Sequence, residues 1–128
     1  MNKPNLIKDN SYAFAIRIVK LRKHIEETKR EFVLSKQILR SGTSVGALVR
    51  ESEQAESKAD FIHKLSIALK EANETEYWLL LMRDTDYLSM EEFNSIHPDC
   101  GELIRLLTAI IKSTKDNIKR KQTPKEKE

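Results

Sequence analysis

The sequence predicts an all-α protein folded as an up-down-up-down four-helix bundle. Its 128 residues include only three glycines and three prolines, too few for the many turns of a protein built from strands. Apolar residues instead recur at intervals of three and four along four long stretches, which short polar segments separate. Long amphipathic helices with short connections pack most economically as antiparallel neighbours.

One domain is expected over residues 10–121, with a flexible segment at 1–9 and a disordered polar tail at 122–128. No apolar run approaches the ~20 residues of a membrane span, and the first residues lack the apolar core of a signal peptide. The single cysteine cannot form an internal disulfide. These features predict a cytoplasmic protein that makes no membrane contact.

The first predicted helix opens near Asn10 and runs to about Glu27. Its apolar stripe has four members at helical offsets: Phe14, Ile18, Leu21 and Ile25. Four further residues widen this stripe: Tyr12, Ala15, Ile16 and Val19. Because the apolar face is broader than one buried side requires, we expect the helix to contact neighbours on two sides.

The second predicted helix runs from about Glu31 to Glu53 and has small residues in its middle, including Gly42 and Gly46. A glycine inside a helix costs about 1 kcal/mol relative to alanine, which argues for a break. The apolar period nevertheless continues in phase on both sides of the glycines. We therefore predict one long helix whose small residues let another backbone approach closely, with a kink as the alternative.

The third predicted helix starts at a capping-box pattern formed by Ser57 and Asp60, with Asp in place of the usual Glu. No glycine or proline follows before Asp86, so about 27 residues of helix would span roughly 40 Å. Its main apolar line consists of Phe61, Leu65, Ala68, Ala72 and Leu79. This helix is predicted to be the central rod of the bundle.

The fourth predicted helix begins at a full capping box, Ser89 with Glu92, and Leu88 with Phe93 has the spacing of a hydrophobic staple. Pro98 then interrupts the pattern, because its ring is not accommodated in a helix interior without a kink. Either the helix bends there, or a short helix ends and a new one starts with Pro98 in its first turn.

The histidines and the cysteine do not predict a metal or catalytic centre. The three histidines lie on different predicted helices: His24, His63 and His97. Zinc sites usually use closely spaced pairs of Cys or His, which this sequence lacks. Cys100 has Asp99 and Glu102 as neighbours, which disfavour a thiolate, so a half-buried structural thiol is expected.

Two other groups of residues also lack the pattern of a known di-iron or phosphate-binding site. Glu71, Glu74 and Glu76 have no histidine at the offset that a di-iron bundle requires, and structural hydrogen bonding is the preferred role of the polar-aromatic segment around Trp78. The segment from Gly42 to Gly46 lacks the lysine of a phosphate loop. The sequence therefore predicts a protein without enzymatic activity and without a cofactor.

Charge is strongly segregated along the chain, although the net charge is only +3. Residues 1–50 carry +7, residues 51–102 carry −9 and residues 103–128 carry +5. Such alternation lets helices or copies of the chain pair with each other, or presents a basic face to an anionic partner.

Basic residues recur at helical spacing and are the candidate phosphate contacts. They are Arg17, Lys20, Lys23, Lys36, Arg40, Lys112, Lys115 and Lys119. Rows of cations suit phosphate binding, since each cation displaces a counterion without any base contact. No aromatic residue interleaves them for base stacking. The alternative is a solvated face balanced by acidic residues of the third helix, in the same or a neighbouring copy.

Two blocks carry a resemblance to a known family: residues 31–47 (EFVLSKQILRSGTSVGA) and 57–78 (SKADFIHKLSIALKEANETEYW). They resemble the bacterial four-helix-bundle proteins named for intervening sequences in 23S ribosomal RNA genes. That family includes the accessory variability protein of diversity-generating retroelements. The similarity covers about residues 10–118. Leu48 departs from an Asn that is frequent in the family, and Pro98 and Gly101 replace better helix formers.

The resemblance implies a four-helix bundle that assembles as a ring-like homopentamer with a basic surface. In retroelement members it implies binding of RNA or DNA and a reverse transcriptase as partner, and it carries no catalytic residue. The leading prediction is therefore an oligomeric nucleic-acid-binding or adaptor protein. The alternative is a self-assembly module, in which the acidic third helix docks on basic helices of a neighbour and nucleic acid is not bound.

Overall fold

The computed structural model describes residues 3–122, with side chains from Leu6 onward, as four helices. These are α1 (Lys3–Lys29), α2 (Leu34–Ser52), α3 (Lys58–Asp84) and α4 (Met90–Gln122). Each helix packs against the next, α1 also contacts α4, and the diagonal pairs do not meet. The predicted up-down-up-down bundle is thereby confirmed for the described part of the chain.

The core consists of the apolar stripes that the periodicity predicts. Its largest fully buried apolar side chains come from all four helices: Phe14, Ile18, Ile25, Ile38, Val45, Val49, Leu65, Leu79, Met82, Leu103 and Leu107. Leu48, at the position where the family often has Asn, is partly buried and packs against this core. No helix within the described residues has the length and apolar character needed to cross a membrane.

The start of α1 differs from the prediction. The helix begins at Lys3 rather than near Asn10, so residues 3–9 of the segment expected at 1–9 belong to α1. Ile7 is only 3% exposed and continues the buried stripe at an offset of seven from Phe14. Pro4 is tolerated because N–H groups of a first turn have no partner within the helix. Met1, Asn2 and the tail at 123–128 lie outside the described residues.

The loop before α2 provides its cap. The Glu31 carboxylate accepts hydrogen bonds from the backbone N–H groups of Val33, Leu34 and Ser35 at 3.0, 2.8 and 2.9 Å. A carboxylate is favourable at this positive end of a helix. Glu31 therefore precedes α2 and caps it, whereas the sequence predicts it as the first helical residue.

The glycines of α2 allow the predicted close approach to α1. A Cβ at Gly46 would lie 3.2 Å from the carbonyl oxygen of Ser11, and one at Gly42 would lie 2.8 Å from Cγ1 of Ile18. Both glycines lie inside one continuous helix. The prediction of a single helix with a small-residue contact surface is confirmed.

The caps of α3 and α4 follow their sequence signals. The Ser57 hydroxyl accepts from the N–H of Asp60 at 3.0 Å, but the Asp60 carboxylate receives the N–H of Glu56 rather than that of Ser57. The longer side chain of Glu92 completes the reciprocal box with Ser89, at 2.8 and 3.0 Å. The shorter Asp side chain accounts for the incomplete box at α3.

Pro98 lies inside α4, which continues from Met90 to Gln122 without a break. Of the two alternatives at this proline, the separate short helix is therefore wrong. Proline has no N–H to donate to the carbonyl four residues earlier, so α4 lacks one hydrogen bond there. The surrounding packing maintains the helix, since Ile96 and Cys100 on either side are buried.

Candidate nucleic-acid interface

The eight predicted phosphate contacts lie on two surfaces rather than one. Arg17, Lys20, Lys23, Lys36 and Arg40 belong to α1 and α2, whereas Lys112, Lys115 and Lys119 belong to the far end of α4. Arg17 of α1 touches Asp99 of α4. Because a helix rises about 1.5 Å per residue, Lys112 lies about 20 Å further along the bundle. One copy of the chain therefore does not join all eight cations in a single patch.

The guanidinium of Arg17 is paired with groups of its own chain. Its guanidinium donates to the carbonyl oxygen of Ser95 at 2.9 Å and to the Ser95 hydroxyl at 2.7 Å, and it pairs with Asp99 at 2.6 Å. These contacts hold α1 against α4 within one turn of Pro98. Arg17 thus joins two helices where α4 has lost a backbone hydrogen bond.

Arg40 is also paired within the chain. It donates to Glu71 at 3.2 Å and forms a second ion pair with Glu74. The bond to Glu74 raises the pKa of Arg40. The indole N–H of Trp78, at 3.0 Å, lowers the pKa of the Glu74 carboxyl, and Arg40 adds to that effect. The polar-aromatic segment of α3 therefore has the structural role that the sequence favours.

The acidic middle segment is largely neutralised by its own chain. Besides the two carboxylates held by Arg40, Glu76 pairs with His97 at 2.9 Å, and Asp84 pairs with Arg83 at 2.8 Å. Glu51, at the end of α2, pairs with Lys64 at 3.2 Å. Little unpaired negative charge is left on α3 for the basic helices of a neighbouring copy.

Three candidates on α1 and α2 are exposed: Lys20, Lys23 and Lys36. None of them has an acidic partner among the described residues. Lys23 and Lys36 lie at similar heights on neighbouring helices, since Ser35 contacts Glu26 at 3.3 Å. Lys20 also lines a groove of about 480 Å³ between α1 and α4.

That groove has a mixed charge. His24 contacts Glu92 across it at 2.9 Å, and Glu91 contributes a second carboxylate. The backbone N–H of Ser89 and the neighbouring His24 lower the pKa of Glu92, which favours its negative form. Two carboxylates beside the cations make the groove a poor site for an anion.

The far end of α4 has the densest positive charge. The α4 lysine cluster consists of Lys112, Lys115 and Lys119, all exposed. Asp116 lies 3.6 Å from Lys112, and both side chains are more than half exposed at 77% and 63%. Such an exposed pair neutralises little charge, because water screens it. With 33 residues, α4 is longer than α1 and α3, which have 27 each.

Two further cations adjoin the cluster, and neither is among the eight phosphate contacts predicted from the sequence. Lys121 lies beside Lys58 of α3, and this second ammonium lowers the pKa of Lys58. A pKa lowered by a neighbouring cation indicates positive potential at this end of the bundle. The proximity is a tertiary one, since Lys58 begins α3 and Lys121 nearly ends α4. Only the packing of α3 against α4 shows that these two lysines are neighbours.

Cys100 is a structural thiol, as predicted, and it is fully buried rather than half-buried. Its thiol donates to the carbonyl oxygen of Ala72 at 3.4 Å. Burial, together with the charge of Glu76, raises the pKa of Cys100 to about 12. The contributing carboxylate is that of Glu76 rather than the sequence neighbours Asp99 and Glu102, and Asp99 pairs with Arg17. Within residues 6–122, no group of three or more His, Cys, Asp or Glu side chains could hold a metal ion.

Comparisons with known proteins agree with the fold. The profile of the family described as 23S rRNA-intervening sequence protein matches residues 3–109. No curated protein matches the chain. A crystal structure of a protein of unknown function from the S23 ribosomal protein family of Bacteroides thetaiotaomicron is 58% identical, with a TM-score of 0.85. The alignment covers 87% of this chain and 99% of that one.

Proposed function

The chain belongs to the 23S rRNA-intervening sequence protein family, and we propose that it is a non-enzymatic, cytoplasmic nucleic-acid-binding or adaptor protein that acts as a ring-like homo-oligomer. The observation that carries the proposal is the α4 lysine cluster in the last turns of α4. Most acidic residues of the middle segment are paired internally, whereas Lys112 of this cluster is held only weakly by the exposed Asp116. Positive charge is thus concentrated at this end of α4, where five Lys or Arg residues lie between 112 and 121 with Asp116 as the acidic residue in that stretch.

The chemistry of the cluster suits the phosphate backbone. Lysines at successive turns approach several phosphates along one groove, and each contact releases a condensed counterion. Lys36 supplies a further exposed cation on α2. The exposed tyrosines Tyr12 and Tyr77 lie on α1 and α3 and do not interleave the cluster. Binding of duplex DNA or structured RNA through the backbone, without base stacking, is therefore the mode that these residues support.

The test compares binding of a fluorescent DNA duplex and of an RNA hairpin over a series of salt concentrations. The wild-type chain is expected to bind at low salt and to lose affinity steeply as salt rises. The triple variant K112Q/K115Q/K119Q should bind at least tenfold more weakly at about 50 mM salt, with a slope of log K against log salt shallower by about 2 to 3.

The control variant K8Q/K64Q/K70Q removes the same number of charges from other exposed or partly exposed positions. It should keep most of the affinity and the slope of the wild type. Absence of salt-sensitive binding by the wild type at low ionic strength would contradict the proposal. Equal losses in both triple variants would assign binding to net charge rather than to the α4 lysine cluster.

A second candidate function is a self-assembly module that does not bind nucleic acid. Apolar side chains that stay exposed on α1 and α3, among them Tyr12, Ile16 and Tyr77, favour it. Light scattering at low and at high salt tests the assembly itself. A monomer under both conditions would contradict the ring, and a ring that ignores both nucleic acids would support this second function. A reverse transcriptase remains the proposed protein partner if the chain serves a retroelement.

A further inference from the structure

Phe32, in the connection between α1 and α2, is the phenylalanine that the bundle leaves exposed. The chain has four phenylalanines, all of them within the described residues. Phe14 and Phe93 are buried in the core and Phe61 packs against it, whereas Phe32 is 49% exposed. Val33, the next residue, is 71% exposed. The connection thus presents an apolar surface that the chain itself does not cover.

The ring of Phe32 lies beside the guanidinium of Arg30. The Cζ atom of Arg30 is 5.4 Å from the ring centroid, which is within the range of a cation–π contact. Arg30 directly follows the last residue of α1 and has a φ of 54°, in the left-handed region. Glycine is the usual residue at this position, because a Cβ is disfavoured there. An arginine that accepts this strain indicates a use for its side chain.

The positive charge around Phe32 is largely unpaired. Four cations of this region have no acidic partner among the described residues: Lys23, Lys29, Arg30 and Lys36. Between residues 22 and 36 there are three carboxylates. Glu26 pairs with Arg22 at 2.8 Å, and Glu31 accepts the backbone N–H groups at the start of α2. Glu27 is the remaining carboxylate, so the cations outnumber the available anions.

An aromatic ring beside a guanidinium, with lysines on both sides, matches the chemistry of an unpaired nucleotide. Bases outside a duplex stack on aromatic rings and on guanidinium planes. Cations next to the ring hold the adjoining phosphates. Lys29 precedes Phe32 by three residues and Lys36 follows it by four, so their Cα atoms lie at most about 11 and 14 Å from that of Phe32. Both flexible side chains can therefore approach phosphates next to a base on the ring.

A second arginine–aromatic pair in the chain lacks this charge. Arg50 of α2 lies over the exposed ring of Tyr12 of α1, 5.7 Å from its centroid. Asp9 precedes Tyr12 by three residues on α1, and Glu53, which pairs with Lys8 at 3.5 Å, follows Arg50 by three. Carboxylates beside this pair disfavour a phosphate. The two pairs have similar geometry, and their surroundings distinguish them.

We propose that the Arg30–Phe32 pair binds an unpaired base of RNA or DNA by stacking, while Lys29 and Lys36 hold the phosphates on either side of that base. This inference rests on the proposed binding of nucleic acid. It adds a second site and a different substrate class, since a duplex keeps its bases stacked on one another and a single strand presents them.

The second site lies far from the α4 lysine cluster. Arg17 is level with Asp99, and His24 is level with Glu92, so α1 runs towards the Arg30–Phe32 pair as α4 runs away from it. The end of α1 lies about 18 Å from Arg17, and the α4 lysine cluster begins about 20 Å from Arg17 in the other direction. With about 40 Å between them, the two sites can be tested separately.

Binding of a fluorescent single strand of about 12 nucleotides, as oligo(dT) and as oligo(U), tests the site in the full chain. F32L keeps an apolar side chain without the aromatic face and should weaken binding at least about fivefold. F32W restores an aromatic face and should bind like the wild type or more tightly. Y12L removes the other exposed ring beside an arginine and is the control, which should keep the wild-type affinity. A loss by F32L on one strand alone would identify RNA or DNA as the ligand.

An abasic strand of the same length separates stacking from charge. It presents the phosphates without bases, so the wild type should bind it about as weakly as F32L binds the complete strand. F32L should bind the abasic and the complete strand alike. Equal binding of both strands by the wild type would show that the cations alone hold the strand, and would overturn the inference.

The variant R30G tests the other half of the pair. Glycine relieves the left-handed strain, so the melting temperature should stay equal or rise, whereas binding of the single strand should weaken. K70Q removes the same charge from an exposed lysine of α3 and should leave that binding unchanged. An R30G variant that binds the strand like the wild type would overturn the role of the Arg30–Phe32 pair.

Failure of this inference is distinguishable from failure of the proposed function. If F32L bound single strands like the wild type while K112Q/K115Q/K119Q lost binding of the duplex, the stacking site would be overturned and the proposed function would stand. The exposed ring would then be left for a contact with a protein. A wild-type chain that bound neither single strands nor duplexes would contradict both.

Discussion

At the scale of single residues, a pair of buried hydroxyls links α2 to α3. Ser41 and Thr75 are both fully buried, and their hydroxyl oxygens are 2.9 Å apart. Thr75 also lies 2.8 Å from the carbonyl oxygen of Glu71. Since a hydroxyl has one proton, Thr75 donates to that carbonyl when Ser41 donates to Thr75. Both hydroxyls are thereby satisfied without water.

Replacing one member of the pair should cost more than replacing both. Thr75→Val keeps the shape but leaves the Ser41 hydroxyl buried without a partner, so the free energy of unfolding should fall by about 1 to 2 kcal/mol. The double variant S41A/T75V should recover part of that loss, because no orphaned hydroxyl remains. Denaturant unfolding of the three variants measures this, and additive losses would contradict the coupling.

The Glu74 carboxylate predicts a pH dependence of stability. Its bonds to Trp78 and Arg40 lower its pKa in the folded chain below the ordinary 4.5. A carboxyl with a lowered folded pKa stabilises the fold above its unfolded pKa, and this contribution is lost as the pH falls through the folded pKa. Between about pH 5 and about pH 3, the free energy of unfolding should therefore fall less steeply in E74Q than in the wild type.

The control for this pH series is E56Q, since the Glu56 carboxylate makes no ion pair with any residue the structure describes. Its unfolding curves should follow those of the wild type across the same range. Parallel pH profiles for E74Q and the wild type would show that Glu74 does not stabilise the contact between α2 and α3 through its charge.

At the scale of helices, the glycines of α2 set how closely α1 approaches. Gly42→Ala would place a methyl group 2.8 Å from the buried side chain of Ile18, which is fully enclosed. Overpacking of this kind costs about 1 to 3 kcal/mol and should outweigh the gain in helix propensity. The matched variant G101A has space, with its nearest atom 3.7 Å away in Arg105, and should stabilise the chain by up to about 1 kcal/mol. Thermal unfolding distinguishes the two, and a stabilised G42A would contradict the close approach.

The helices show what local sequence signals can and cannot predict. The capping box of Ser89 and Glu92 involves neighbours in sequence, so the start of α4 follows from the residues alone. The start of α1 does not, because Ile7 is held in the helix by burial in the tertiary core. The continuity of α4 at Pro98 likewise depends on packing with the other helices.

The candidate phosphate contacts are likewise predictable only in part from the local sequence. Helical spacing correctly places Lys20, Lys36 and the α4 lysine cluster on exposed faces. Spacing could not show that Arg17 is paired, since its partner Asp99 is 82 residues away. Arg40 is a similar case, because its partners lie on the next helix. Which cations form ion pairs within the chain depends on tertiary contacts, and no local sequence pattern contains that information.

At the scale of the whole molecule, the negative and positive charges that the sequence segregates have different environments in the structure. Most carboxylates of the negative segment form ion pairs or hydrogen bonds inside the bundle, whereas exposed lysines lie on α1, on α2 and at the end of α4. At that end of α4, one copy offers a nucleic acid only a small cluster of lysines. The proposed ring-like homo-oligomer would present one cluster per copy, which multiplies the phosphate contacts.

The most direct test compares the salt dependence of nucleic-acid binding for the wild type and the K112Q/K115Q/K119Q variant, on the same long RNA hairpin. The slope of log K against log salt should be shallower by about 2 to 3 for the variant, because each phosphate contact adds about 0.7 to 0.9 to the slope. Equal slopes and affinities per chain for the two proteins, or no salt-sensitive binding by the wild type, would contradict the proposed role of the α4 lysine cluster.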